Sequence, residues 1–133
     1  MRGAPGRRRD PPNRAYGSAI DGMAAGMSRL RGYQRELQAG ILAAWEKGAR
    51  CVIGVTATGS GKTVTMADTA KLLGGRGVVM AHRSELVGQI SLALAKEGLR
   101  HSITAAKSTV KAIVAAHMDE FGRSYYDPRA SWE

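Results

Sequence analysis

One segment near the middle of the chain has the residue types that bind phosphate groups. In order it reads Thr56, Ala57, Thr58, Gly59, Ser60, Gly61, Lys62 and Thr63. The phosphate-loop pattern is G-x-x-x-x-G-K-[ST]. The segment departs from that pattern only at Thr56, which stands where the first glycine is expected. The spacing therefore predicts a loop that binds the phosphates of a nucleoside triphosphate.

Each residue type in this loop suits the binding of phosphate for a physical reason. Gly59 and Gly61 let the backbone turn sharply, so that successive N–H groups point at one anion. A helix beginning at Lys62 would add the positive end of its dipole. The Lys62 ammonium would neutralise the β- and γ-phosphates, and the Thr63 hydroxyl would bind Mg²⁺.

Helical periodicity surrounds the loop on both sides. Apolar residues at steps of three and four predict a helix over 33–47, and further helices are predicted over 62–73 and 85–97, the last with Ser84 as its N-cap. A fourth helix face is formed by Val110, Ile113, Val114, His117, Met118 and Phe121. These helices must position the loop.

Two short apolar segments predict the strands of a sheet. Residues 51–55 and 78–81 are rich in β-branched residues and are bounded by glycines or polar residues, which is typical of buried parallel strands. Cys51 would then be a small core residue. Residues 101–105 are a further candidate strand. Strands alternating with helices predict an α/β fold with a parallel sheet flanked by helices.

Charge divides the chain into two parts. The sequence has 20 Lys+Arg against 11 Asp+Glu, a net charge of +9, which favours a polyanionic partner such as nucleic acid. Residues 1–28 are rich in Arg, Gly and Pro and predict a disordered basic arm, while residues 29–133 predict a folded domain. Three interpretations of the arm stay open: it binds phosphates, it is a solvated tail without a role, or translation starts later, at Met23 or Met27.

The composition also excludes several classes of protein. No apolar run reaches the roughly 18–20 residues that span a bilayer, and no secretory signal is evident, so a cytoplasmic protein is expected without membrane contact. The single cysteine, Cys51, excludes an internal disulfide. His82, His101 and His117 are too scattered in sequence to predict a metal site.

Three elements in order carry a resemblance to a known family. They are Leu30-Arg31-Gly32-Tyr33-Gln34-Arg35-Glu36, the loop at 56–63, and the run from Val78 through His82-Arg83-Ser84-Glu85-Leu86 to Gln89. Together they resemble the first RecA-like domain of superfamily 2 helicases, and most closely the branch that includes restriction-enzyme helicase subunits and many phage helicases. The resemblance implies an incomplete RecA-like phosphate-loop domain that binds ATP and Mg²⁺.

The resemblance also implies roles for individual residues. Gln34 would recognise the adenine edge with support from Arg31. Residues 56–63 would hold the triphosphate, with Lys62 and Thr63 as the catalytic candidates and Thr63 as the Mg²⁺ contact. A single-stranded or duplex nucleic acid, with DNA favoured, would be contacted through its backbone by three residues: His82, Arg83 and Ser84.

The sequence departs from this family in its acidic motif. The family uses Asp-Glu-x-His at the end of a later strand, whereas Asp119-Glu120 lies in a stretch with helical spacing and is expected at a helix end. The second RecA-like domain is also absent from these 133 residues. We therefore expect an ATP-binding N-terminal helicase fragment, not competent alone for unwinding, whose second domain lies elsewhere or on a separate chain.

Two other functions stay open at the level of sequence. A different phosphate-loop phosphotransferase would share the loop but would need its own acidic base and an acceptor site. A non-catalytic basic nucleic-acid-binding protein would use the arginine-rich arm without any need for nucleotide.

Overall fold

Helices make up most of the part of the chain that the structure describes. The computed structural model describes residues 30–130. They form α1 (Gly32–Glu46), α2 (Lys62–Leu73), α3 (Ser84–Lys96) and α4 (Lys107–Phe121). The predicted helices are confirmed, but Arg83 and not Ser84 is the N-cap of α3. The predicted arm at 1–28 lies outside the described residues.

The buried interior of this region is unusually polar. Its buried hydrophobic side chains are Leu30, Leu42, Ala67, Ala95 and Ile113. Its buried polar side chains are Gln34, Gln38, Thr65, Thr69, Ser91 and His117. Every buried side-chain nitrogen or oxygen among residues 30–130 has a hydrogen-bond partner. The helices are thus held in place by specific polar contacts as well as by apolar packing.

Polar contacts join each helix to the next. The Gln38 amide of α1 donates to Asp68 Oδ2 at 2.8 Å and to Thr69 Oγ1 at 3.0 Å, both on α2. Lys71 of α2 pairs with Glu97, just after α3, at 3.1 Å. Lys96 of α3 pairs with Glu120 of α4 at 3.0 Å. These contacts set α1 beside the helix that begins at the loop.

The predicted parallel sheet is not confirmed. Residues 51–55 and 78–81 contain no β-strand, and within residues 30–130 the only β-pairing is a single parallel bridge between His101 and Tyr126. The apolar side chains of both segments are exposed, with Ile53 at 83% and Met80 at 89%. A parallel strand needs a paired neighbour, and no described segment pairs with either one. The expectation that Cys51 is buried is wrong for the same reason, since Cys51 is exposed.

Two histidines that are distant in sequence meet at one serine. Ser91 Oγ lies 2.6 Å from His101 Nε2 and 3.0 Å from His117 Nε2. Ser91 and His117 are buried, with 1% and 0% of their surface exposed. The two histidines are therefore scattered along the sequence but adjacent in space. The cluster joins α3, α4 and the segment after α3.

The backbone partners fix the direction of every hydrogen bond in this cluster. The Leu99 carbonyl can only accept, so His101 Nδ1, at 2.9 Å, carries the hydrogen. The Tyr125 amide can only donate, so His117 Nδ1, at 3.2 Å, is unprotonated. His117 Nε2–H therefore donates to Ser91, and the Ser91 hydroxyl donates to His101 Nε2. This arrangement is complete only when both histidines are neutral.

Candidate nucleotide-binding site

The segment between residues 55 and 62 forms a compact turn before α2. Gly59 and Gly61 have φ values of 77° and 80°, in the left-handed region that favours glycine. The Ser60 amide donates to Ala57 O at 3.2 Å. The Ser60 hydroxyl donates to Thr56 Oγ1 at 2.7 Å. Thr56, the one departure from the pattern, thus ties the start of the loop to its far side.

The end of the loop presents amides that can bind an anion. Gly61 is the N-cap of α2, and Lys62 is its first residue. Among the described residues, the N–H groups of Gly61, Lys62 and Thr63 donate to no protein acceptor. The first turn of any helix leaves such amides without intrahelical partners, and its dipole favours a negative charge there. The sequence-predicted phosphate cradle is therefore brought together in one place.

Lys62 lies across the same loop. Its exposed side chain donates from Nζ to Ala57 O at 3.1 Å. A bound phosphate would compete for this ammonium with a single neutral carbonyl, and a charged acceptor binds it more strongly. Thr63 follows in the first turn of α2 and is partly exposed. Its hydroxyl could supply one oxygen to Mg²⁺, which usually takes its other ligands from phosphates, carboxylates and water.

Gln34 lies at the loop but makes a different set of contacts from the one expected. Its Nε2 donates to Ser60 O at 2.8 Å and to Gly61 O at 3.3 Å. Its Oε1 accepts the Arg31 amide at 2.8 Å. Both N–H donors of the amide are therefore used within the protein, and only 6% of the residue is exposed. The adenine-reading role stays a prediction.

The predicted nucleic-acid residues lie at the start of α3, beside a groove. His82 and Arg83 are exposed, and Ser84 begins the helix. A groove of about 410 Å³ runs between α3 and α4. It is lined by Ser84, Glu85, Gly88, Leu92, Ser108, Thr109, Ala112, Ile113 and Ala116. No residue of the phosphate loop lines it, so the groove is separate from the nucleotide-binding loop.

The acidic pair is placed as the sequence indicated. Asp119 and Glu120 lie in the last turn of α4, and Glu120 pairs with Lys96 of α3 at 3.0 Å. No group of three or more His, Cys, Asp or Glu residues that could hold a metal ion occurs within the described region. Glu120 thus contributes to the packing of α3 against α4.

A comparison with protein families identifies the family of this chain. The family described as the type III restriction enzyme, res subunit, matches residues 27–124. The chain belongs to this family. The res-subunit match includes the phosphate loop and all four helices of the described region. It confirms the resemblance inferred from the three sequence elements.

The other comparisons add no further relative. No protein of established function gave a significant match to this chain. No solved structure gave one either. Within residues 30–130, no helix is both long enough and apolar enough to cross a membrane.

Proposed function

We propose that this chain binds Mg·ATP in the loop at 56–63, as the N-terminal part of the first RecA-like domain of an ATP-dependent nucleic-acid helicase or translocase. The observation that carries the proposal is the set of open amides at Gly61, Lys62 and Thr63. These amides lie within residues 27–124, which match the family described as the type III restriction enzyme, res subunit. Thr63 supplies a hydroxyl to Mg²⁺, and Lys62 neutralises the terminal phosphates.

The reaction needs more than this loop. Hydrolysis in RecA-like motors takes place between two domains, and the acidic residue that activates water is not supplied by Asp119 or Glu120, which lie at a helix end. We therefore propose that this region alone binds nucleotide but does not unwind a duplex. A second RecA-like domain would complete the site.

Removing the Lys62 ammonium tests the proposal. Lys62→Ala should weaken Mg·ATP binding at least about tenfold, because a hydrogen bond to a charged group is worth about 1.5–3 kcal/mol. Isothermal titration calorimetry measures the affinity. Lys71→Ala is the matched control, since it removes the same charge from the same helix at its other end, where Lys71 pairs with Glu97. Equal affinities for ATP in the wild type and Lys62→Ala would contradict the proposal.

The nucleic-acid strand is proposed to follow the surface at the start of α3. His82 and Arg83 are exposed there, and Ser84 lines the groove beside α4. The groove also opens beside Ser108 and Thr109, at the N-terminal end of α4. Two helix N-termini with hydroxyl side chains suit a phosphate backbone, which would be bound without reading its sequence.

Replacing Arg83 tests this surface. Arg83→Ala should weaken binding of single-stranded DNA and reduce the slope of log K against log salt by about 0.7, the value for one phosphate contact on a single strand. Fluorescence anisotropy at several salt concentrations measures both. Arg50→Ala is the control. It removes the same charge from an exposed arginine at the far end of the segment that leads into the loop, and it should leave the slope unaltered. A slope unaffected by Arg83→Ala would remove this residue from the track.

A further inference from the structure

The first turn of α1 makes direct contact with the peptide groups of the phosphate loop. The Tyr33 hydroxyl donates to Ser60 O at 3.0 Å, and the Gln34 amide donates to the same oxygen at 2.8 Å. Gln34 also donates to Gly61 O at 3.3 Å. Two side chains of α1 therefore hold two consecutive loop carbonyls on one side of the loop.

The geometry of a peptide group carries this constraint to the amides. In a planar trans peptide the C=O and the following N–H point in opposite directions. When Ser60 O is held toward α1, the Gly61 N–H must point away from α1. The Gly61 carbonyl sets the direction of the Lys62 N–H, and it is held by the Thr65 amide of α2 at 3.0 Å as well as by Gln34. These are two of the open amides that would bind phosphate.

The contacting side chains are themselves held in place. Gln34 Oε1 accepts the Arg31 amide at 2.8 Å, and the residue is buried. Arg31 Nη1 donates to the Tyr33 hydroxyl at 3.4 Å, which leaves the hydroxyl hydrogen for Ser60 O. Gly61 leaves room for the amide, because a Cβ at this position would collide with Gln34 Nε2.

We infer that Tyr33 and Gln34 are positioning residues that aim the Gly61 and Lys62 amides at the phosphates. The inference rests on the proposed nucleotide site and goes beyond it. It gives Gln34 a role that does not depend on the base, and it gives Tyr33 a role that its place beside Gln34 in the sequence did not reveal. Arg31 supports the loop through Tyr33 and Gln34.

A ligand without a base separates this role from adenine recognition. Calorimetry with inorganic tripolyphosphate, ATP and GTP, each with Mg²⁺, would be applied to Tyr33→Phe and Gln34→Glu. Gln34→Glu keeps the acceptor for the Arg31 amide but removes the donors to the loop. Tyr33→Phe should bind all three ligands about threefold to tenfold more weakly, the loss expected for one hydrogen bond, and Gln34→Glu should bind them more weakly still because it also places a carboxylate beside the loop. Tyr126→Phe is the control, because it removes a hydroxyl outside the contact between α1 and the loop.

Nuclear magnetic resonance gives a readout that general destabilisation would not move. Tripolyphosphate should shift the Gly61 and Lys62 amide signals in the wild type, and the shifts should shrink in Tyr33→Phe while its unfolding midpoint stays at the wild-type value. Tyr33 is 44% exposed, so this variant should fold even where Gln34→Glu does not.

The outcomes distinguish the two ideas. Loss of ATP affinity alone, with tripolyphosphate unaffected, would assign Gln34 to the base and overturn the inference. The inference is also overturned if Lys62→Ala abolishes binding while Tyr33→Phe matches the wild type. If the wild-type chain binds none of the three ligands, both the inference and the proposed nucleotide site are overturned.

Discussion

Replacing Gly61 with alanine is expected to destabilise the chain by about 2–5 kcal/mol and to abolish nucleotide binding. Gly61 has a φ of 80°, and an L-residue pays about 1–2 kcal/mol in this left-handed region. The added methyl group would also collide with Gln34 Nε2. Moving Gln34 leaves buried polar groups without partners, at a further cost of about 1–3 kcal/mol.

Gly59→Ala is the matched variant for this prediction. Gly59 has a φ of 77°, but a Cβ there would meet nothing within 4 Å. It should pay the backbone cost alone, so urea unfolding should find Gly61→Ala clearly less stable than Gly59→Ala. Equal stabilities of the two variants would show that the contact between Gln34 and the loop contributes nothing to the fold.

Stability is expected to fall as the pH is lowered from 7.5 to 5.5. Burial lowers the pKa of His101, against the opposing effect of its hydrogen bond to the Leu99 carbonyl. Burial also lowers the pKa of His117, helped by repulsion from His101 and opposed by its hydrogen bond with Ser91 and by the charge of Glu120. In the unfolded chain both histidines return to a pKa of about 6.5. The unfolded state therefore binds more protons than the folded state just below that pH.

The sign and size of the effect follow from proton linkage. The free energy of unfolding falls with decreasing pH wherever the unfolded state binds more protons. Each histidine that stays neutral in the fold while it is charged in the unfolded chain contributes up to about 1.4 kcal/mol per pH unit. The full contribution is present above pH 6.5 and is lost as the pH falls toward the lowered pKa values of the folded state.

The geometry explains why the folded state resists protonation. A proton on His117 Nδ1 would face the Tyr125 amide, which is itself a donor at 3.2 Å. A proton on His101 Nε2 would remove the acceptor of the Ser91 hydroxyl. The charged neighbours are already paired, Glu120 with Lys96 and Asp127 with Arg100. Within residues 30–130, neither of these two carboxylates is left free to pair with a histidinium.

Denaturant unfolding at several pH values between 7.5 and 5.5 measures the effect. Carboxylates keep their charge over most of this range, so they add little to the slope. His117→Gln should show a weaker pH dependence than the wild type, because it removes one histidine of the cluster. A free energy of unfolding independent of pH, or a His117 ring signal that titrates above pH 6.5, would contradict the prediction.

Local interactions explain which parts of the fold the sequence could predict. Helices α1 to α4 were predicted to within one or two residues where a boundary was given, because a helix closes its hydrogen bonds between residues four apart and its apolar stripe repeats in the sequence. The phosphate loop was predicted for the same reason, since its glycines, Lys62 and Thr63 act within a single turn. The nucleotide-binding proposal thus depends on contiguous residues.

Contacts between distant residues could not be read in this way. The apolar segments at 51–55 and 78–81 have strand-like composition, yet strand formation depends on a neighbour that the segment itself does not specify. No described residue supplies that neighbour, and Ile53 and Met80 stay exposed. Membership of the res-subunit family supports a RecA-like fold, whereas the described residues show its helices alone.

The sequence by itself determined the helices, the loop and the family, because each is encoded by residue types at short, fixed spacings. Tertiary structure alone decided that Gln34 gives both of its donors to loop carbonyls 26 and 27 positions away. It also decided that His101 and His117 share Ser91. These contacts depend on how the packed helices bring distant side chains together in space. They leave no periodic pattern in the sequence from which they could be predicted.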